Sequence, residues 1–76
     1  MSTQTNERTL RIGSKGDDVE FLQRFLNADD FGPLAEDGVF GSKTEAAVKK
    51  YQSSRGLTAD GIVGPKTWAC ITSEMN

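Results

Sequence analysis

A twelve-residue pattern that occurs twice, 23 residues apart, most constrains what this chain can fold into. Residues 37–48 and 60–71 both read Asp-Gly, two apolar residues, Gly, any residue, Lys-Thr, and then apolar residues at helical spacing. Asp accepts hydrogen bonds from nearby backbone N–H groups and Gly reaches positive φ without steric cost, so Asp-Gly predicts a tight turn. Ser42 and Glu45 then have the spacing of a capping box, and Pro65 suits the first position of a helix. Each copy therefore predicts a turn followed by a helix.

Apolar residues recur with helical periodicity in three segments, which we predict to be helices at residues 14–27, 42–54 and 65–72. On the first, Phe21 and Gln23 lie at the two edges of the apolar face. The inward positions are Val19, Leu22, Phe25 and Leu26, then Thr44, Ala47, Val48 and Tyr51, then Thr67, Cys70 and Ile71. Strand-like alternation is confined to residues 10–12. The predicted fold class is all-α, a small bundle of three helices with Asp-Gly turns and an internal 23-residue repeat covering the second and third helix starts.

Several residues between the helices have a predicted structural role. Gly56 reads as the left-handed cap of the second helix, with Leu57 folding back onto its last turn. Phe31 and Leu34 are predicted to pack against the core and so attach their loop to it, and Phe40 is predicted to be buried in the core. Cys70 takes the inward position of Ala47 and is expected to be a buried, unreactive thiol. Trp68 is about 100° off the inward face, so it either covers a neighbouring loop or lies partly exposed.

Composition excludes several classes of function. At 76 residues the chain suits one small domain, and its net charge of −2 argues against nucleic acid as a partner. The chain has no histidine and one cysteine, which removes zinc–imidazole sites, histidine-activated nucleophiles and an internal disulfide. Its acidic residues lack the spacing of a calcium loop, so we expect no metal and no cofactor. No apolar run is long enough to cross a bilayer, and the first nine residues lack the apolar core of a signal peptide.

The polar residues beside the apolar faces are the candidates for binding. Asp37 and Asp60 fit backbone capping within their turns better than ligand binding or paired-carboxylate catalysis. Gln23 and Gln52 each lie beside an apolar stripe, where an amide can bond either a neighbouring loop or an amide of a ligand. Thr44 and Thr67 are expected to bond the turn before their helix.

The residues described so far form three ordered blocks that resemble a known family, and the blocks cover nearly the whole chain. They are Leu10-Arg11-x-Gly13-Ser14-x-Gly16-x-x-Val19-x-x-Leu22-Gln23-x-x-Leu26, Asp37-Gly38-x-Phe40-Gly41-x-x-Thr44-x-x-Ala47-Val48-x-x-Tyr51-Gln52, and Gly56-Leu57-x-x-Asp60-Gly61-Ile62-Val63-Gly64-Pro65-x-Thr67-Trp68. This order and spacing resembles the three-helix, type 1 peptidoglycan-binding domain of bacterial and phage cell-wall hydrolases. Tyr51 stands where that family more often has Phe. The resemblance implies a compact bundle that recognises the cell-wall polymer and performs no chemistry itself.

Three function classes follow. The first is a non-catalytic module that binds peptidoglycan, glycan and stem peptide, and anchors itself or a fused or partner hydrolase to the wall. The alternative is a protein–protein interaction domain, because similar bundles occur as pro-domains of secreted metalloproteases, although Cys70 lacks the context of their cysteine switch. An enzyme in its own right is the third and least supported class.

We expect the ligand groove to be bordered by the first two helices and the Asp-Gly loops. The candidate ligand-binding residues are Gln23, Gln52, Phe21, Tyr51, Trp68 and Asp37; catalytic residues are not expected. The expected layout is a flexible lead-in at residues 1–9, the binding domain at 10–73 and a tail at 74–76. A monomer with no nucleic-acid or membrane partner is expected. Without a signal peptide in the chain, it would reach the wall by export, by release at lysis or as part of a longer protein.

Overall fold

Three helices make up the fold in the computed structural model, which describes residues 8–75. They are α1 at Asp17–Ala28, α2 at Ser42–Ser54 and α3 at Pro65–Met75. Across the described residues, β pairing is limited to two isolated antiparallel bridges, Leu10 with Val63 and Lys15 with Val39. The predicted all-α bundle of three helices is confirmed. None of the helices within residues 8–75 is long and apolar enough to cross a membrane.

The helix starts differ from the prediction in how they are capped. Helix α1 begins three residues later than predicted, after Gly16, because Ser14 accepts a hydrogen bond from the Arg11 N–H at 3.1 Å and belongs to the preceding turn. Helix α2 has the predicted bounds, but its N-cap is Gly41 in extended backbone and no side chain caps it. The capping box predicted for Ser42 and Glu45 is therefore wrong, since Ser42 already lies inside the helix.

Helix α3 extends three residues beyond its predicted end at Thr72. The extension brings Glu74 to the Arg55 guanidinium and the Tyr51 hydroxyl, at 2.6 and 2.7 Å. Glu74 and Met75 are therefore helical rather than part of the predicted tail, and Asn76 lies outside the described residues. Residues 1–7 of the predicted lead-in also lie outside them, whereas Arg8 bonds the Asp18 carboxylate at 2.6 Å.

The core lies where the inward faces of the three helices meet the two Asp-Gly loops. Its buried apolar side chains are Leu10, Val19, Leu22, Leu26, Phe40, Ala47, Val48, Tyr51, Val63, Trp68 and Ile71. Phe40 is buried as predicted, and the expected tethers Phe31 and Leu34 are half-buried against this core. Cys70 is only half-buried, so the prediction of a fully buried thiol is wrong; its sulfur lies 3.5 Å from the Glu74 carboxylate.

Trp68 is buried although it lies off the inward face of α3, with 1% of its surface exposed. The segment before α1 passes over it, and the indole N–H donates to the Arg8 carbonyl at 2.6 Å. The indole stacks on Phe21 with a centroid distance of 6.4 Å. Of the two predicted alternatives, the structure supports the one in which Trp68 covers a neighbouring segment.

Helices α1 and α2 end in the same hydrogen-bonded motif. After α2, the Leu57 N–H donates to the Gln52 carbonyl at 2.8 Å around Gly56, which has φ +74°. After α1, the Phe31 N–H donates to the Leu26 carbonyl at 2.8 Å around Asp30, which has φ +67°. Both are Schellman caps, and the predicted role of Gly56 is confirmed. At the first cap an aspartate adopts the backbone conformation that glycine adopts at the second.

Candidate functional site

The first Asp-Gly loop is held by the side chain of Gln23 from α1. The Gln23 Nε2 group donates to the Val39 carbonyl at 2.9 Å, to Thr44 Oγ1 at 3.1 Å and to Asp37 Oδ1 at 3.3 Å. Its Oε1 atom accepts from the Gly38 N–H at 2.9 Å. Because Gly38 has φ +74°, the loop can turn tightly enough to present these groups to one amide. Both ends of the Gln23 side chain are therefore occupied inside the fold.

The second Asp-Gly loop is held in the same way by Gln52 from α2. The Gln52 Nε2 group donates to the Ile62 carbonyl at 2.9 Å, to Thr67 Oγ1 at 3.1 Å and to Asp60 Oδ1 at 3.2 Å. Its Oε1 atom accepts from the Gly61 N–H at 3.0 Å. We call each of these arrangements, a glutamine with the Asp, Gly, apolar residue and Thr that it bonds, a glutamine clasp.

The two clasps belong to two structural units that share α2. The first unit is α1, its loop and the start of α2; the second is α2, its loop and the start of α3. The clasp glutamine and aspartate are 14 positions apart in the first unit and 8 positions apart in the second. Helix α1 continues further beyond its clasp glutamine than α2 does, and the connection from α1 to its loop is also longer. The hydrogen bonds within the two clasps are nevertheless the same. Sequence periodicity located the loops, but it did not reveal that one side chain from the preceding helix holds each of them.

A shallow cleft lies outside each clasp. The first cleft, of about 320 Å³, is lined by residues 41–44 and by Gln23, Leu34, Ala35, Asp37 and Val39. The second cleft, of about 420 Å³, is lined by residues 64–67 and by Gln52, Leu57, Thr58, Asp60 and Ile62. Every lining residue outside the two glutamines has its counterpart 23 positions later in the other cleft. The fold thus builds the same surface twice.

The chemistry of both clefts is aliphatic with a polar rim. Leu34 and Val39 form the apolar part of the first cleft, and Leu57 and Ile62 form that of the second. Lys43 is exposed at the rim of the first cleft, as Lys66 is at the second. Such a surface can contact a ligand that combines short aliphatic groups with amides and carboxylates.

The structure places three of the six sequence-predicted site residues on these clefts. Gln23 and Asp37 line the first cleft, and Gln52 lines the second. Both glutamines are 1% exposed, so their amides hold the loops rather than project from the surface. Hydrogen bonds from the Val39 N–H and the Gln23 amide keep the pKa of the exposed Asp37 carboxyl below its usual value.

The three predicted aromatic walls line neither cleft. Tyr51 and Trp68 are each 1% exposed, and Phe21 is half-buried against Trp68. The six aromatic side chains of the chain are all buried or half-buried. In this arrangement the rings pack against the core, and none of them lines either cleft.

A polar cluster that the sequence did not predict joins α2 to α3. Arg55 bonds both carboxylate oxygens of Glu74, at 2.6 and 2.7 Å, and also the Asp29 carboxylate at 2.8 Å. Its guanidinium lies 4.8 Å from the Tyr51 ring centroid, and the Tyr51 hydroxyl donates to Glu74 at 2.7 Å. These residues are up to 45 positions apart in sequence, so local patterns carry no signal for the cluster.

The charges of this cluster shift its pKa values strongly. The Arg55 guanidinium, followed by the Tyr51 hydroxyl, lowers the pKa of Glu74 to about 2. Burial, with the neighbouring Cys70 and Glu74 groups, raises the pKa of Tyr51 above its usual value. Each side chain of the cluster bonds another member, which gives the cluster a structural role. Residues 8–75 contain no group of three or more His, Cys, Asp or Glu residues placed to hold a metal ion.

One protein family model matches this chain. It describes a peptidoglycan binding domain, and the match spans residues 15–71, which include both clasps and both clefts. A curated relative, the zinc D-Ala-D-Ala carboxypeptidase of Streptomyces albus G, is 50% identical over 62 residues, covering 79% of this chain and 24% of the carboxypeptidase.

Solved structures share the fold at substantial identity. The SleB N-terminal domain superposes with a TM-score of 0.87 at 33% identity, covering 92% of this chain and 96% of that domain. The Burkholderia AP3 phage endolysin superposes with a TM-score of 0.82 at 46% identity, covering 88% of this chain and 25% of the endolysin. Three curated relatives are matched over only 22% to 56% of their own lengths.

Proposed function

Since the chain belongs to the peptidoglycan binding domain family, we propose that it is a module that binds the peptidoglycan of bacterial cell walls through the first cleft. The observation that carries the proposal is the extent of the family match, which includes both loops, α1, α2 and the first seven residues of α3. The first cleft lies between α1, the first Asp-Gly loop and the start of α2.

The cleft suits the peptide portion of the polymer. A stem peptide presents methyl groups, backbone amides and carboxylates, which match the aliphatic wall of Leu34 and Val39 and the ammonium of Lys43. In this proposal Gln23 and Asp37 fix the shape of the loop that forms one wall. Gln52 does the same for the second loop, and the packing of Phe21, Tyr51 and Trp68 keeps the helices that carry the clefts in place.

The module itself performs no chemistry in this proposal, and hydrolysis belongs to a fused or partner enzyme. Relatives that combine such a domain with a hydrolase support this division, since the matched region is 24% of the Streptomyces albus G carboxypeptidase. The alternative, a protein–protein interaction domain, has no comparable support. A rigid domain with a small cleft and a net charge of −2 gains little long-range attraction to an anionic peptide, so we expect modest affinity for a single unit.

Co-sedimentation with purified bacterial sacculi tests this function. The wild-type domain is expected to pellet with sacculi and to stay in solution with chitin, a related glycan that carries no stem peptides. Failure to pellet with sacculi at any domain concentration up to about 1 mM, the affinity scale of the weakest specific binding, would contradict the function.

A matched pair of charge reversals tests the location. Lys43→Glu changes a cleft rim, whereas Lys50→Glu makes the same change at an exposed position of α2 that lines neither cleft. We expect Lys43→Glu to reduce the sedimented fraction and Lys50→Glu to leave it near the wild-type value, with both variants melting near the wild type. Equal behaviour of the two folded variants would place the binding surface elsewhere.

A further inference from the structure

We propose that the second cleft is a second binding site for the same stem-peptide unit, so that one domain engages two units of the polymer at once. This inference rests on the proposed function, because it takes the ligand class from the first cleft. It goes beyond that function by assigning a separate site at the start of α3 and by giving the domain a valency of two.

The two clefts are built in the same way. Each has a clasped Asp-Gly loop as one wall, the start of a helix as the other, and the clasp glutamine at its base. The four bonds of one clasp match those of the other to within 0.1 Å. Surfaces built on the same clasp, with equivalent walls, are expected to accept the same class of ligand.

The rim and wall chemistry of the first cleft is repeated in the second at the positions that a ligand would touch. Leu34 and Val39 are matched by Leu57 and Ile62, and both rims carry an exposed lysine. The two clasps alone do not require these matches, since a lysine side chain takes no part in either clasp. Repeated rim chemistry is what two sites for one ligand need.

The chemistry of the cleft walls indicates which part of the polymer is bound. Neither cleft is lined by an aromatic ring, and every aromatic side chain in the chain is at least half-buried. Sugar rings are commonly held against exposed aromatic faces, whereas aliphatic and amide groups pack against Leu, Val and Ile. The clefts therefore select the peptide, which the polymer presents in many identical copies.

The clefts differ enough to be unequal in affinity. Pro65 replaces Ser42 at the first helical position, so the second cleft lacks one backbone N–H donor at its rim. Thr58 replaces Ala35, and the second cleft has the larger volume, about 420 against 320 Å³. We expect two sites of the same specificity with different dissociation constants.

Blocking each cleft separately tests the proposal. Ala35→Trp fills the first cleft and Thr58→Trp fills the second, and both replaced side chains are exposed and take no part in a clasp. Ser53→Trp places the same bulk at an exposed position of α2 outside both clefts. Each variant is first checked by thermal unfolding, so that only folded proteins are compared.

Two measurements are made on the wild type, the two single variants, the double variant and the control. Apparent affinity for intact sacculi should fall on the order of 100-fold when either cleft is filled, because the second contact becomes intramolecular once the first has formed. Titration with purified disaccharide tripeptide, tetrapeptide and pentapeptide, followed by amide chemical shifts, should perturb both loops in the wild type and only the open cleft in each single variant.

The outcomes separate the inference from the function on which it rests. Wild-type binding that Ala35→Trp abolishes and Thr58→Trp leaves unchanged overturns the second site while the proposed function stands. Binding that neither variant affects overturns both clefts. Absence of wild-type binding to sacculi overturns the proposed function itself, and binding that persists on sacculi stripped of stem peptides by an amidase overturns the assignment of the peptide as the ligand.

Discussion

Replacing a clasp glutamine by methionine should destabilise the domain strongly and to the same extent in both units. Gln23→Met keeps the length of the side chain but removes three donated hydrogen bonds and one accepted one. The Gly38 N–H and the Val39 carbonyl then lose the partner that turns the loop onto α1. Gln52→Met removes the equivalent four bonds from the second loop.

The magnitude follows from the groups left without partners. An unsatisfied buried polar group costs about 1–3 kcal/mol, and part of that cost is recovered where water can enter from the adjacent cleft. For two backbone groups and one hydroxyl we expect a loss of about 2–4 kcal/mol in the free energy of unfolding. For a domain of this size each 1 kcal/mol shifts the melting temperature by roughly 4–8 °C, so the loss is easily measured.

Urea unfolding followed by the fluorescence of Trp68 is the assay, because this is the sole tryptophan and it is buried in the fold. Lys50→Met, at an exposed position, is the control and should change stability by less than about 0.5 kcal/mol. A loss below about 1 kcal/mol for either glutamine variant would refute the view that the clasp holds the loop. Losses that differ by more than about 1.5 kcal/mol would refute the energetic equivalence of the two units.

Two further predictions concern the helix ends. Glu74→Gln should lower stability at pH 7 by about 1–2 kcal/mol, a value reduced by the 28% exposure of the Glu74 side chain. The pKa of Glu74 falls from 4.5 in the unfolded chain to about 2 in the folded protein. In pH-dependent urea unfolding, the stability difference between variant and wild type should therefore be full above pH 4.5 and vanish towards pH 2. A difference that stays constant across this window would contradict the ion pair with Arg55. Asp30→Gly should raise stability by about 0.5–1 kcal/mol and Gly56→Ala should lower it by about 1 kcal/mol, because both positions have positive φ. Calorimetry measures both changes. A melting temperature that shifts in the opposite direction for either variant would contradict the role of these residues in the helix caps.

Much of this fold could be predicted from the sequence because its signals are local. The periodicity of Val19, Leu22 and Leu26 and the repeated Asp-Gly pattern specify helices and turns without reference to distant residues. The helix caps and helix ends were predicted wrongly where a local sequence pattern fitted two structures or where the stabilising contact was distant in sequence. Ser42 satisfied the capping-box spacing, yet Gly41, in extended backbone, is the N-cap and Ser42 is the first residue of the helix. Nothing in the sequence near Thr72 indicated that α3 continues, because Arg55, the stabilising partner of Glu74, lies at the end of α2, far away in the sequence.

The candidate site was less predictable than the fold. Gln23 and Gln52 were identified as the polar residues beside the apolar faces, and the open choice was between bonding a loop and bonding a ligand. The structure shows the first, because both amides are fully buried against the loops. The equivalence of the two clefts was hidden because the glutamines are 29 residues apart, whereas the loops are 23 apart. An additional turn of α1 and a longer connection absorb the difference in three dimensions.

Because the two units share α2, each unit ends in the helix with which the next unit can begin. Helix α2 receives the first loop at Thr44 and holds the second with Gln52, so it is at once the end of one unit and the beginning of the next. In α3, the residue at the position of Gln52 is Met75, which is 53% exposed and has no amide with which to clasp a third loop. At this position α3 therefore lacks the side chain that forms a clasp. Met75→Gln, followed by a copy of residues 53–75, would supply the missing amide together with a further loop and helix. Such a protein is expected to form three clefts.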